Sequence, residues 1–285
     1  MKWDRDHRSE YVDDRRGASG GGGGSSGLVG LGLLLFRKFG VAGMVIALLG
    51  YGAMRFFGIG GGAAGLLGGG GQPASGAGVD DEMKAFVGFV LDDAQKVWTD
   101  KLSARSESYR KARLVIFEGS VASACGKADA AVGPFYCPGD EQVYIDLGFY
   151  QQLRERLGAP GDFAQAYVIA HEVGHHLQHI YGDLGRGRDE GADGGSVRVE
   201  LQADCYAGVW AHEAKARGLL EIGDVDEALG AAKAIGDDTL QKAATGTVRP
   251  ETFSHGSSTQ RMRWFTKGLE TGDIDTCNTF DAAQL

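Results

Sequence analysis

The sharpest chemical signal in the sequence is His171-Glu172-Val173-Gly174-His175. Side chains four apart on a helix share a face, so the two imidazoles can reach one ion. Zinc accepts neutral ring nitrogens at about 2.0–2.1 Å. Glu172 is turned one position away from that face. It is close enough to take a proton from metal-held water and hand it to a departing amine. An apolar helical run over residues 163–170 leads into the motif, so these residues are expected in a largely buried helix.

A two-histidine site needs a third ligand. Glu200-Leu201-Gln202-Ala203-Asp204 opens a second helical pattern, and Glu200 could complete a two-His, one-Glu set that leaves a fourth position for water. Asp204 lies one turn further along the same face and could accept the free ring N–H of His171, fixing its tautomer. Other histidines fit less well. His176 and His179 point off the ligand face and read as solvent or cleft residues, His212 reads as lying on an exposed helix, and His7 in the N-terminal tail. Tyr144 and Asp146 alternate on a strand and read as its solvated face, alongside which a substrate peptide could add as a further strand. Asp189 and Glu190 read as solvated loop charges.

The elements that must position these residues are mostly helical. Apolar spacing predicts a helix over residues 83–102, then helices near 148–157, 162–180, 196–217, 225–244 and 257–270. Residues 113–121 and 142–147 read as strands, and a glycine- and charge-rich loop joins the two metal-ligand helices. The layout is α+β, many helices with a small antiparallel sheet, carried by residues 80–285.

Composition divides the chain. Of 48 glycines, 24 fall in residues 1–78, without the period of collagen. Residues 1–60 carry eight Lys/Arg against five acids, a charge of +3, so the remainder holds −12 of the total −9. An acidic domain argues against a nucleic-acid binder. Residues 1–27 read as a disordered cytoplasmic tail and residues 28–59 as a membrane anchor. The span itself is placed at about 39–59, with Arg55 snorkelling to the interface. Residues 60–79 read as a glycine-rich linker. Seven basic residues precede the span, which keeps the tail in the cytoplasm and sends residues 80–285 outside it. All four cysteines lie in that exported part. Three pairings are open. Cys125–Cys137, closing a short loop, and Cys205–Cys277, tying the C-terminal segment to the Glu200 helix, are favoured.

With these residues in place the chain resembles the gluzincin metallopeptidases. More closely it resembles the bacterial putative neutral zinc metallopeptidase family (YpfJ-like). The matching segments begin with Asp13-Asp14-Arg15-Arg16-Gly17, Ala124-Cys125-Gly126 and Gly133-Pro134-Phe135-Tyr136-Cys137-Pro138. They continue with Val143-Tyr144-Ile145-Asp146-Leu147, Ala170-His171-Glu172-Val173-Gly174-His175-His176 and Glu200-Leu201-Gln202-Ala203-Asp204-Cys205. The last is Phe253-Ser254-His255-Gly256-Ser257-Ser258 with Gln260-Arg261. The resemblance implies a zincin-like domain and a membrane-anchored, zinc-dependent peptidase; with the topology above, the leading expectation is an endopeptidase acting on peptide or protein substrates outside the cytoplasm. It suggests that His255 steadies an oxyanion, and that Arg261 holds the loop or pairs with an acid. A membrane-tethered zinc-binding scaffold without protease activity is the competing expectation.

Overall fold

The computed structural model describes residues 1–17 and 76–285. Its strands are β1 (Val12–Asp14), β2 (Arg113–Phe117), β3 (Ser120–Ser123), β4 (Gly126–Asp129), β5 (Phe135–Cys137) and β6 (Gln142–Asp146). Its helices are α1 (Gly76–Ala104), α2 (Gly148–Glu155), α3 (Asp162–Tyr181), α4 (Gly195–Ala216), α5 (Asp224–Ala234), α6 (Asp237–Thr245) and α7 (Ser258–Thr271). The α+β layout holds.

The sheet is mixed, not antiparallel. Its order is β1-β2-β6-β5, with β1–β2 and β2–β6 parallel and only β5–β6 antiparallel, while β3 and β4 form a separate hairpin. Alternation sorts the two central strands. Leu114, Ile116, Val143 and Ile145 enter the main core beside the helices, whereas Val115, Phe117 and Tyr144 pack under the hairpin. Parallel strands covered on both faces must be apolar on both, which is why β2 reads as a continuous Leu-Val-Ile-Phe run.

The helical core is built on α1, α3, α4 and α7. From α1, Phe86, Val90, Ala94 and Trp98 recur at helical spacing and are all buried. The largest helix pair is α4 with α7, followed by α3 with α4. Both disulfides form with the favoured pairing: Cys125–Cys137 fastens β5, and Cys205–Cys277 ties α4 to the turn over Ile274–Cys277.

The tail requires a correction. Residues 1–17 are not a disordered extension but part of the domain. β1 is a parallel edge strand on β2, Met1 is buried, and Trp3 packs edge-on against Phe86 of α1. Charges that look like a solvated tail are paired: His7 with Asp92 at 2.9 Å, Arg5 with Glu82, and Asp14 with Arg16 and Lys84. The linker expected over 60–79 gives way to α1 from Gly76, and its earlier part lies outside the described residues, as does the anchor over 28–59. Among the described residues no helix is long and apolar enough to cross a membrane.

Candidate metal centre

α3 begins at Asp162 after a glycine with φ +118° and is buried along most of its length, from Phe163 to Gln178. α4 crosses it at Gly174. A Cβ there would stand 3.1 Å from both the Cα and the carbonyl oxygen of Ala203, so any side chain would have to push the two backbones apart by a few tenths of an ångström. That contact sets the site. With the helices in touch between His171 and His175, Glu200 is held beside both rings. Its Oε2 lies 3.2 Å from His171 Nε2 and its Oε1 3.5 Å from His175 Nε2. Two ligands each about 2.1 Å from one tetrahedral ion sit roughly 3.4 Å apart, so both His–Glu separations suit a zinc ion, and all three donors lie within 4.8 Å of one another.

A second observation supports the fit. Glu172 is buried, and its Oε2 has no hydrogen-bond partner among the described residues. An orphaned carboxylate oxygen in a core is costly unless a solvent or substrate group meets it there. Burial pushes the Glu172 carboxyl above its ordinary value, against the pull of His175 and His171. Glu200 is half-buried, and desolvation penalises its charge, but the neighbouring His175 and the hydrogen bond from His171 overcome that penalty and hold its carboxyl well below the carboxylate range. Two neighbouring carboxyls are thus driven apart, one suited to bind a cation and the other to accept a proton.

Each ligand ring has a partner behind it. Asp204 Oδ1 lies 2.7 Å from His171 Nδ1 and also accepts from the Tyr167 hydroxyl at 2.5 Å. Arg261 of α7 grips the same carboxylate with Nε at 2.8 Å and a terminal nitrogen at 2.9 Å. Burial disfavours charge on His171, but Asp204 and Glu200 outweigh it and raise the ring to about 10. His171 must therefore give up a proton to ligate a cation. His175 Nδ1 meets the Gln178 Oε1 at 2.8 Å.

His255 sits in the loop before α7, half-exposed, close enough to Glu200 to feel its charge. Asp237, at the start of α6, organises this loop. Its Oδ2 accepts the backbone N–H groups of Ser254, His255 and Gly256, and its Oδ1 lies 3.2 Å from His255 Nδ1. The pairing leaves His255 Nε2 directed away from Asp237.

The structure therefore brings together His171, Glu172, His175, Glu200, Asp204, Arg261 and His255. Several other expectations are corrected. His176 is fully buried, bridging the Tyr136 hydroxyl and the Arg110 carbonyl, because β5 closes over that side of α3. His212 Nδ1 donates to the Leu269 carbonyl instead of lying free on an exposed helix, while His179, 3.4 Å from Glu141, keeps the partly exposed place expected for it. Tyr144 and Asp146 are not a solvated face. The Tyr144 hydroxyl donates to Asp140, and Asp146 accepts from Gly119 and Gly148 N–H. Nor can β6 receive a substrate strand, since β2 and β5 occupy both its edges. Asp189 and Glu190 are exposed. Sequence reasoning missed Tyr167, Gln178 and Asp237. Only the last had a local signal, as an acid opening a helix after a glycine.

Taken together, an α+β domain presents two histidines and a glutamate from crossing helices with a free carboxylate alongside, the arrangement of a metal-dependent hydrolase. The chain belongs to the family described as Putative neutral zinc metallopeptidase, whose sequence model matches residues 1–280. It is 41% identical over 290 aligned positions to the uncharacterized protein YpfJ of Escherichia coli (strain K12), covering 98% of this chain and 99% of that one. It is also 47% identical over 190 positions to the uncharacterized protein Rv2575 of Mycobacterium tuberculosis, covering 62% of this chain and 65% of the relative. No solved structure matches the chain.

Proposed function

We propose that this protein is a zinc-dependent endopeptidase in which His171, His175 and Glu200 hold the ion. The observation that carries the reading is the unpartnered, buried Oε2 of Glu172 beside a three-ligand set. A purely structural zinc site closes with four protein ligands, and among the described residues no fourth ligand joins these three. Zinc bound there supplies a Lewis acid that polarises a peptide carbonyl and makes water a nucleophile at neutral pH.

The chain's own groups do the rest. Glu172, its carboxyl raised by burial, accepts the proton of the attacking water at Oε2 and returns it to the leaving nitrogen. His255, held through Nδ1 by Asp237, offers Nε2 to the oxygen on which negative charge develops. Asp204, fixed by Arg261, keeps the His171 ring oriented with Nε2 toward Glu200.

The two disulfides favour an oxidising compartment for the domain. β1 shares a sheet with β2, so residues 1–17 belong on the same side of any membrane as residues 76–285. Our reading is a membrane-associated, extracytoplasmic peptidase whose N-terminal residues accompany the domain instead of remaining in the cytoplasm. The test is zinc content and cleavage of an unfolded protein substrate by the full chain. Wild type should bind about one zinc per chain, and His171→Ala and Glu200→Ala should lose both metal and cleavage. Unchanged zinc content in both variants would overturn the ligand assignment.

A further inference from the structure

Gln178 lies one helical turn beyond His175 on α3 and is fully buried. Its side-chain nitrogen donates to two acceptors on or beside α4: the Val199 carbonyl at 2.6 Å and Gln202 Oε1 at 2.9 Å. A backbone carbonyl can only accept, so the amide NH2 must face Val199, and Gln178 Oε1 must face His175 Nδ1, 2.8 Å away. An amide oxygen carries no hydrogen. His175 Nδ1 must therefore hold the proton and donate it, which leaves Nε2 with a lone pair turned toward Glu200.

From this geometry we infer that Gln178 is the positioning residue for His175, setting the ring's proton and orientation while fixing the spacing of the two ligand helices. The inference rests on the metal-site reading above. Val199 immediately precedes Glu200, so one side chain spans from the second histidine to the backbone beside the third ligand. The two rings are held by different chemistry. Behind His171 stands a carboxylate clamped by Arg261; behind His175 stands a neutral amide. Neutrality matters because Glu172, Glu200 and Asp204 already crowd the centre, and a further carboxylate would have no second arginine to answer it. A hydrocarbon at position 178 would strip the His175 Nδ1 proton and Gln202 Oε1 of these partners in the core, both costly.

The experiment compares the full chain with Gln178→Leu and Gln202→Leu. Zinc affinity is measured by competition with a chromophoric chelator, and the ring N–H signals of His171 and His175 are followed by nitrogen-15 NMR with and without zinc. Gln178→Leu should bind zinc about 10–100-fold more weakly, the usual effect of losing such a partner. It should also lose the slowly exchanging Nδ1–H of His175 while keeping that of His171, whose partner Asp204 is untouched. Gln202→Leu, which leaves the His175 contact in place, should bind zinc nearly as the wild type does. Wild-type affinity in Gln178→Leu, or equal disturbance of both rings, would overturn the inference by reducing Gln178 to a packing residue. Failure of the wild type to bind zinc would instead overturn the metal-site reading, and the His175 N–H signal would still decide what Gln178 does.

Discussion

Asp237 is an example of a single carboxylate deciding where a distant histidine points. Three backbone donors and the His255 ring outweigh its burial and hold its carboxyl below the ordinary 3.8, while the same pairing raises His255 above its ordinary 6.5. The signs fix a window. The lowered acid contributes stability that is full above 3.8 and lost as pH falls through its folded value; the raised histidine contributes stability that is full below 6.5 and lost as pH rises through its own. The loop over 254–256 should therefore be held best between about 3.8 and 6.5. The stability difference between wild type and Asp237→Asn, followed by denaturant unfolding against pH, should plateau in that range and shrink on both sides. At this scale the sequence was legible where chemistry is local. The His171–His175 spacing and Glu200 with Asp204 one turn later are read off one helix at a time. Gln178 and Tyr167 were not legible, because an amide and a phenol acquire their roles only from the helix that crosses them.

Elements meet here through glycine. On α4, a Cβ at Gly208 would stand 2.1 Å from the Phe265 carbonyl oxygen; on α7, one at Gly268 would stand 2.0 Å from that of Cys205. The two backbones touch, and this contact brings Arg261 within reach of Asp204. Gly268→Ala should force α7 away from α4, costing about 1–3 kcal/mol or more in overpacking and weakening the Arg261–Asp204 grip. Thermal unfolding should show the loss, and a variant as stable as wild type would contradict the close crossing. Element boundaries taught a related lesson. The single strand expected over 113–121 breaks at Gly119, which adopts φ +73°, and the single helix expected over 225–244 breaks at Gly236, where a Cβ would lie 2.4 Å from the Ser258 nitrogen. Hydrophobic periodicity runs through both breaks. What stops each element is a tertiary contact or a backbone turn that periodicity does not register.

For the whole molecule, composition misled in one place. A charged N-terminal stretch running into glycine reads as disorder by net charge and low hydrophobicity, yet residues 1–17 contribute a strand, a buried methionine and paired charges to the domain. Partners for Arg5 and His7 lie on α1, some 80 residues away, where no local window reaches. One consequence concerns topology. Single cysteines placed at residues 10 and 230 in otherwise intact cells should label from the same side of the membrane with an impermeant reagent; labelling from opposite sides would contradict the shared sheet. Tyr11 and Arg15 bond to β2, so by alternation the Asp13 N–H faces it too, and Asp13→Pro should cost the β1–β2 pairing and lower the unfolding temperature.

The account turns on Glu172 as the proton acceptor beside a metal held by other residues. The most direct measurement is zinc content together with peptide cleavage by Glu172→Gln in the full chain. Glutamine keeps the size of the side chain and removes its basicity, so zinc should stay at the wild-type level while cleavage falls by about 100-fold or more, as expected when general-base catalysis is removed. Cleavage undiminished at full zinc content would contradict the assignment.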